Sequence, residues 1–437
     1  MTRPLPFIAI AFMLTLTSPA MAQLSKPEAR MTATVDAEYE RSVALLEILV
    51  NQNSGSLNLG GVEKVGQMMR VELEMLGFNV RWVPMAAAGR SGHLIATRKG
   101  DGKGKKMLLI GHLDTVFEPS SPFKTFVRDG DKAVGPGAND NKGGIVIMLA
   151  ALRAMQAAGT LTKADIEIVL TGDEEDAGDP IELARADLIA AGKRADVALD
   201  FEGLAVVDGK DMGSIARRSA GSWTVTAKAK GGHSSGIFSA AAGDGAIYAL
   251  AKIIAAFRAE LPETNLTFNV GLIAGGVGAS LGAGGITATA SGKTNIIPEV
   301  AIARGDIRTL SPEQEARVRA KMDAIVARMS PGATAQISFD GGSYPAMAPT
   351  GGARALLGKL NAINRDLGLS QMEALDPVKR GAGDIAFVAQ DVDGLVGLGS
   401  AGSGDHAEGE TVDLDSIKRQ AKRAAILMTR LSREKPE

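Results

Sequence analysis

The stretch "DIEIVLTGDEEDAGD", residues 165–179, decides how the rest of the chain is read. Its first half is an apolar run of strand length. Its second half sets Asp173, Glu174, Glu175 and Asp176 side by side. Four adjacent carboxylates repel one another unless water, a helix N-terminus or a bound cation compensates. Taken alone, such a run reads as a solvated loop or an acidic first helical turn. A strand that runs straight into paired glutamates opens a second reading, a site at the strand's carboxyl end.

Similar runs lie on either side. "HLIATR" (93–98), "KMLLIGH" (106–112) and "DVALDFE" (196–202) have the length and flanking turn residues of buried strands. Helical patterns separate them, over 144–159 and 181–193. Strands alternating with helices predict an α/β fold, a sheet with helices on both faces. Between Ile215 and Asp340 the order becomes strand, helix, strand, strand, helix, strand, the ferredoxin-like βαββαβ unit. The glycine-rich "GGVGASLGAGG" (275–285) reads as a mobile loop. The chain then resumes with a helix over 351–367, a strand at "GLVGLG" and a last helix over 413–433. The division expected is a leader over 1–22, a catalytic domain in two parts, 23–214 and 341–437, and an inserted domain over 215–340.

The first 22 residues carry one cation, Arg3, then an apolar run, then "AMA". That is the pattern of a secretory signal peptide cleaved after Ala22, so a periplasmic or secreted location is expected. No later segment is apolar for long enough to predict a membrane span. Loss of Arg3 with the leader takes the formal charge from −2 to −3, which gives no reason to expect nucleic acid as a partner. With no cysteine, the chain has neither disulfide nor thiolate ligand to offer. Histidine chemistry must come from His93, His112, His233 or His406.

Three strand patterns end in a potential metal ligand: His112, the pair Glu174 and Glu175, and Glu202. Asp114, two residues past His112, has the spacing to hold the second imidazole nitrogen; the alternative is an Asp capping a turn. Asp140 stands in "GPGANDNKGG" (135–144), a loop that fits neither phosphate-binding fingerprint; it is a ligand or a helix N-cap. His406, in "GSGDHAEGE", is either a surface residue or the imidazole a zinc site would favour. His93 lies on an apolar strand and reads as structural.

The ordered set "GHLDTV", "GPGANDNKGG", "TGDEED", "LDFEG", "GGHSS", "TNIIPE" and "GDHAEGE" resembles the aminoacylase and glutamate carboxypeptidase family of co-catalytic dizinc metallopeptidases. The likeness is nearest to its exported glutamate carboxypeptidases and covers nearly all of the chain after the leader. It implies a zinc-peptidase-like mixed sheet with the inserted domain as lid and dimerisation unit. It implies two zinc ions, replaceable by cobalt or manganese, with Asp140 bridging them. His112 and Glu202 would complete one site, and Glu175 and His406 the other. Glu174 would be the general base, Asp114 would orient His112, and a cis peptide would join Asp140 to Asn141. His233 would stabilise the oxyanion, reaching across a homodimer. Asn295 and Arg308 match family positions that contact substrate, although Arg308 reads equally well as a surface strand arginine. The turn Gly381-Ala382-Gly383-Asp384 departs from the family pattern. The expected activity is release of a C-terminal amino acid from a small peptide or N-acyl amino acid. The alternatives are an N-acyl-amino-acid deacylase or dipeptidase, and a periplasmic binding protein that has lost catalysis on the same scaffold.

Overall fold

The computed structural model describes residues 24–328 and 332–436. The leader expected over 1–22 lies outside them. No helix among the described residues is long and apolar enough to cross a membrane.

Two sheets organise the chain. The first contains β1 (Asn79–Pro84), β2 (Gly92–Arg98), β3 (Lys106–His112), β4 (Asp165–Thr171), β5 (Val197–Asp200) and, much later, Gly394–Val396. Its order is β1-β2-β4-β3-β5 and then 394–396. β3 runs parallel to both β4 and β5, while β1 and β2 are antiparallel additions. The sheet is therefore mixed, as the resemblance implies.

The strand pattern explains why both faces are covered. Met107 and Leu109 enter one buried cluster and Leu108 and Ile110 another, as the two-residue period of a strand requires. The first cluster is closed by the N-terminal helices α1 (Lys26–Ala37), α2 (Tyr39–Asn51) and α3 (Leu59–Met75), and by α4 (Lys142–Ala157). On the other face lie Leu188 and Ala191, together with Ile385 and Val388. The helix expected over 181–193 is two pieces, α5 (Ile181–Ala184) and α6 (Ala186–Gly192), broken at Arg185.

The second sheet is built from β6 (Gly221–Ala229), β7 (Thr267–Phe268), β8 (Leu272–Gly276), β11 (Val300–Arg308) and β12 (Ala333–Phe339). Its order is β7-β11-β6-β12, with β8 also on β11, and every pairing is antiparallel. Helices α7 (Gly245–Glu260) and α8 (Pro312–Arg328) cover one face. Trp223, Val225 and Ala227 of β6 point into that layer, while the alternating Thr224, Thr226 and Lys228 do not. The second strand expected in the βαββαβ order is split into β7 and β8. The glycine-rich stretch expected as a loop is instead a hairpin, β9 (Gly278–Leu281) against β10 (Ala288–Ser291). Glycine lowers strand propensity, so no alternation announced it. The chain returns to the first sheet through α9 (Gly351–Asp366) and ends on α10 (Leu414–Leu431).

Candidate metal centre and active site

β4, β3 and β5 are neighbours, so their carboxyl ends bring His112, Glu174 with Glu175, and Glu202 to one edge of the sheet. Asp140 arrives from the loop before α4, and its peptide bond to Asn141 is cis. The first turn of α4 packs closely behind it: a Cβ on Gly144 would run into the carbonyl oxygen of Phe201. His406 comes from the far end of the chain at φ 65°, a left-handed backbone uncommon outside glycine.

Two groups result, and they share one residue. Nε2 of His112 lies 3.0 Å from Oδ1 of Asp140 and 3.2 Å from Oε1 of Glu202. Nε2 of His406 lies 3.2 Å from Oδ2 of Asp140 and 3.0 Å from Oε2 of Glu175. Within each group the candidate ligand atoms lie within 4.8 Å of one another. The donor set fits divalent cations. Each Nε2 carries at most one proton yet faces two carboxylates, so a proton alone leaves one unsatisfied. With zinc–ligand bonds of about 2.0–2.1 Å, tetrahedral ligand atoms sit about 3.3 Å apart, close to the spacings seen. His112 and Glu202 are buried, and the His406 ring is the most open of the five side chains.

Asp114 is fully buried. Its Oδ1 lies 3.3 Å from Nδ1 of His112, and its carboxylate accepts the backbone N–H groups of Glu174 and Glu175 at 3.0 and 3.1 Å. The Asp114 carbonyl also faces Nδ1 of His112, at 3.1 Å, so this one residue contacts the imidazole and anchors the acidic segment. The charges of the site pull in opposite directions. Burial resists ionisation of Asp140, but the imidazoles of His112 and His406 outweigh it and hold the carboxyl well below its usual range. Burial pushes Glu174 well above the usual carboxylate value, and Glu202, Asp384 and Glu175 add to the push against His112. Glu175 is raised to about 7, again first by burial. His406 is raised to about 11 by its contacts with Asp140 and Glu175.

Asp173 and Asp176 part company with their neighbours. Asp173 is buried against Arg185 at 2.6 Å, whereas Asp176 is exposed and pairs with Arg90 at 2.7 Å. His93 is also buried; its Nε2 faces the carbonyl of Ala184 at 2.7 Å and its Nδ1 accepts from Gly172.

Not every expected residue comes to this place. Asp140, Glu174, Glu202 and His406 line a cavity of about 300 Å³. His233, Asn295 and Arg308 do not line it. His233 and Asn295 lie together on the inserted unit, where a short ladder pairs 232–233 with 296–297 and Ser234 donates to the Asn295 carbonyl. Arg308 borders a different cavity, between Ala220–Ser222 and Asp340–Ser343, with its Nε 3.3 Å from Asp306.

Other residues reach the site unannounced. Arg217 and Arg380 line the cavity beside Lys379, and each keeps one buried guanidinium nitrogen without a hydrogen-bond partner. Arg217 lies 3.2 Å from Oε2 of Glu202 and Arg380 3.7 Å from it. Glu410, fully buried, accepts the backbone N–H groups of Gly137, Asn139 and Asp140 and so holds the loop that presents Asp140. Its place in "HAEGE" was the one available signal.

Residues 108–430 match the sequence pattern of Peptidase family M20/M25/M40. The chain belongs to this family. As an M20/M25/M40 member it is a hydrolase, a metal-dependent peptidase with the residues above as its candidate metal ligands. Carboxypeptidase G2 of Pseudomonas sp. (strain RS-16) is 27% identical over 403 residues, 90% of this chain and 89% of the relative. A succinyl-diaminopimelate desuccinylase of Acidiphilium cryptum is 30% identical over 62% of this chain and 69% of its own length. Among solved structures, a tripeptidase from Staphylococcus aureus superposes with a TM-score of 0.69 at 18% identity, covering 91% of this chain and 99% of its own. An M20 metallo-carboxypeptidase from Sulfolobus solfataricus gives 0.64 at 16%, covering 90% and 99%. At those identities the two structures speak for the shared fold alone.

Proposed function

We propose that the chain is an exported exopeptidase that holds two zinc ions and cuts the amide bond to a C-terminal amino acid, a carboxypeptidase of the glutamate carboxypeptidase type. The observation that carries this is Asp140, whose two oxygens face two separate imidazole–carboxylate groups. His112, Asp140 and Glu202 hold one cation, and Asp140, Glu175 and His406 the other. Bound there, the cations supply Lewis acidity for the scissile carbonyl and for an attacking water. Glu174 accepts the water proton and passes it to the leaving nitrogen. Asp114 fixes the tautomer and aim of His112. The cations of Arg217, Lys379 and Arg380 along the cavity support a substrate that ends in a free carboxylate. Carboxypeptidase G2, similar over nine-tenths of the chain, supports the same reading.

The remaining expected residues act from the inserted unit. His233 donates to the oxyanion of a partner subunit's site in a two-fold dimer, and Asn295 and Arg308 contact the substrate. Exposed Phe238, Tyr248, Ile273 and Ile286 on that unit support burial against a second copy. The desuccinylase relatives favour a second reading, removal of an acyl group from an amino acid. A binding protein without catalysis has no use for Glu174 beside a ligand.

The test combines elemental analysis with a panel of dipeptides, N-acyl and N-benzoyl amino acids, each with its carboxylate free or amidated. About two zinc ions per chain and turnover only of free carboxylates are expected. One tightly held ion, with no gain on adding zinc, cobalt or manganese, defeats the two-metal reading. Equal turnover of the amidated forms defeats the carboxypeptidase reading.

A further inference from the structure

The proposed general base stands on a segment without regular structure, between Thr171 and Ile181. A side chain on such a segment is aimed only as well as its backbone is fixed. A misplacement of about 1 Å costs on the order of a hundredfold in rate. On the amide side, the Asp114 carboxylate takes the N–H of Glu174 and of Glu175. On the carbonyl side, the phenol of Tyr344 donates to the Glu174 carbonyl at 2.8 Å.

The direction of that bond is forced. Nη2 of Arg185 lies 2.7 Å from the same phenol oxygen. A guanidinium only donates, so the phenol must accept from Arg185 and give its own proton to Glu174. Arg185 is itself held. Its side chain is fully buried, with Nε 2.7 Å from Asp384, Nη1 2.6 Å from Asp173 and Nη2 3.0 Å from the Asp173 carbonyl. It also lies over the rings of Tyr344 and Phe387.

The backbone of Tyr344 stands on the connection to the inserted unit. Ala220 and Tyr344 exchange backbone hydrogen bonds of 3.0 and 2.9 Å, and Arg217 and Met347 form the next bridge. These segments carry the chain into and out of the second sheet. The group that pins the base thus rides on the linker of the unit that carries His233.

We propose that Tyr344 is a positioning residue for Glu174, tying the aim of the base to the linker of the inserted unit. This rests on the reading of Glu174 as the base. The substitution that isolates it is Tyr344→Phe, which keeps the ring against Phe387 and Arg185 and removes one hydroxyl. With zinc-loaded full-length protein, kcat per metal-loaded site falls about 10- to 100-fold while KM stays within about threefold. Zinc content and the thermal midpoint stay near wild type. Unchanged kcat per loaded site overturns the proposal, as does a loss explained wholly by lower zinc content or a lower midpoint. The same substitution on a Glu174→Gln background costs little more, because the group it aims is already gone. An equal factor on both backgrounds overturns the proposal, since Tyr344 then acts elsewhere. Full turnover by Glu174→Gln alone overturns the base and this proposal together. It differs from the other failures, in which Glu174→Gln stays inactive.

Discussion

Glu174 and Glu175 are neighbours with different surroundings, so one substitution made at each tests the site. Glu175 puts Oε2 3.0 Å from His406 inside a candidate ligand group; Glu174 belongs to neither group and lines the cavity. Glu174→Gln replaces one oxygen by an amide nitrogen. The contacts that place residue 174, its N–H to Asp114 and its carbonyl from Tyr344, are backbone contacts and survive. What is lost is the ability to take a proton. Loss of a positioned general base costs about 10²- to 10⁴-fold in kcat, about 2.7–5.4 kcal/mol in the barrier, with KM little changed. Zinc content should stay at the wild-type level. Glu175→Gln should instead release part of the metal and recover activity in excess zinc. Steady-state kinetics beside elemental analysis of both variants decides it. A stability change should accompany the first. Burial raises the folded-state pKa of Glu174 well above 4.5, so folding disfavours its charge above that value. Stability linked to this group is present below about 4.5 and lost as pH rises through the raised value. Gln never ionises, so metal-free Glu174→Gln should melt above metal-free wild type at neutral pH. The reasoning is refuted if the two variants exchange phenotypes, or if Glu174→Gln keeps full turnover.

Arg185→Met should leave Asp173 and Asp384 buried without their cation and cost about 3–5 kcal/mol in urea unfolding. Asp173, which burial already holds above its usual range, would then resist ionisation further, so the deficit should narrow as pH falls from neutral toward about 4; a deficit independent of pH would speak against the pair. Arg380→Ala should raise KM for substrates with a free C-terminal carboxylate by about 10- to 100-fold, the scale of a lost charged hydrogen bond, and leave any residual turnover of amidated analogues unchanged. Glu174→Gln and His233→Ala homodimers should each be nearly inactive, while random mixing should restore roughly a quarter of wild-type activity per site. No recovery despite demonstrated subunit exchange would place His233 in its own chain's site or outside catalysis.

Much of the centre was readable because its ligands sit where short apolar runs end. His112 closes a seven-residue strand, and Glu175 and Glu202 follow the ends of two others. A strand's length and its turn are local signals. The supporting groups have no such signal. Thr171 meets Asp384 across 213 residues, and Asn139 meets Glu410 across 271. Nothing periodic marks a buried carboxylate whose partners are backbone N–H groups of a distant loop. Arg217 and Arg380 look like any surface cation in one dimension; only burial beside Glu202 sets them apart. The hairpin over 278–291 was hidden differently. Apart from Leu281, its strands are glycine, alanine, serine and threonine with little apolar alternation, so the turn residues outweighed the strand.

Asp140 and His406 are 266 positions apart, yet their side chains meet. A ribosome adding about 5–20 residues per second needs on the order of 15–50 s to deliver the second after the first. Once residue 202 is made, four of the five candidate ligands, His112, Asp140, Glu175 and Glu202, are synthesised, and the second group still lacks its imidazole. Chain order therefore makes the second candidate group the last to be assembled. An unfinished copy, or one truncated before residue 406, lacks the imidazole of the second candidate group.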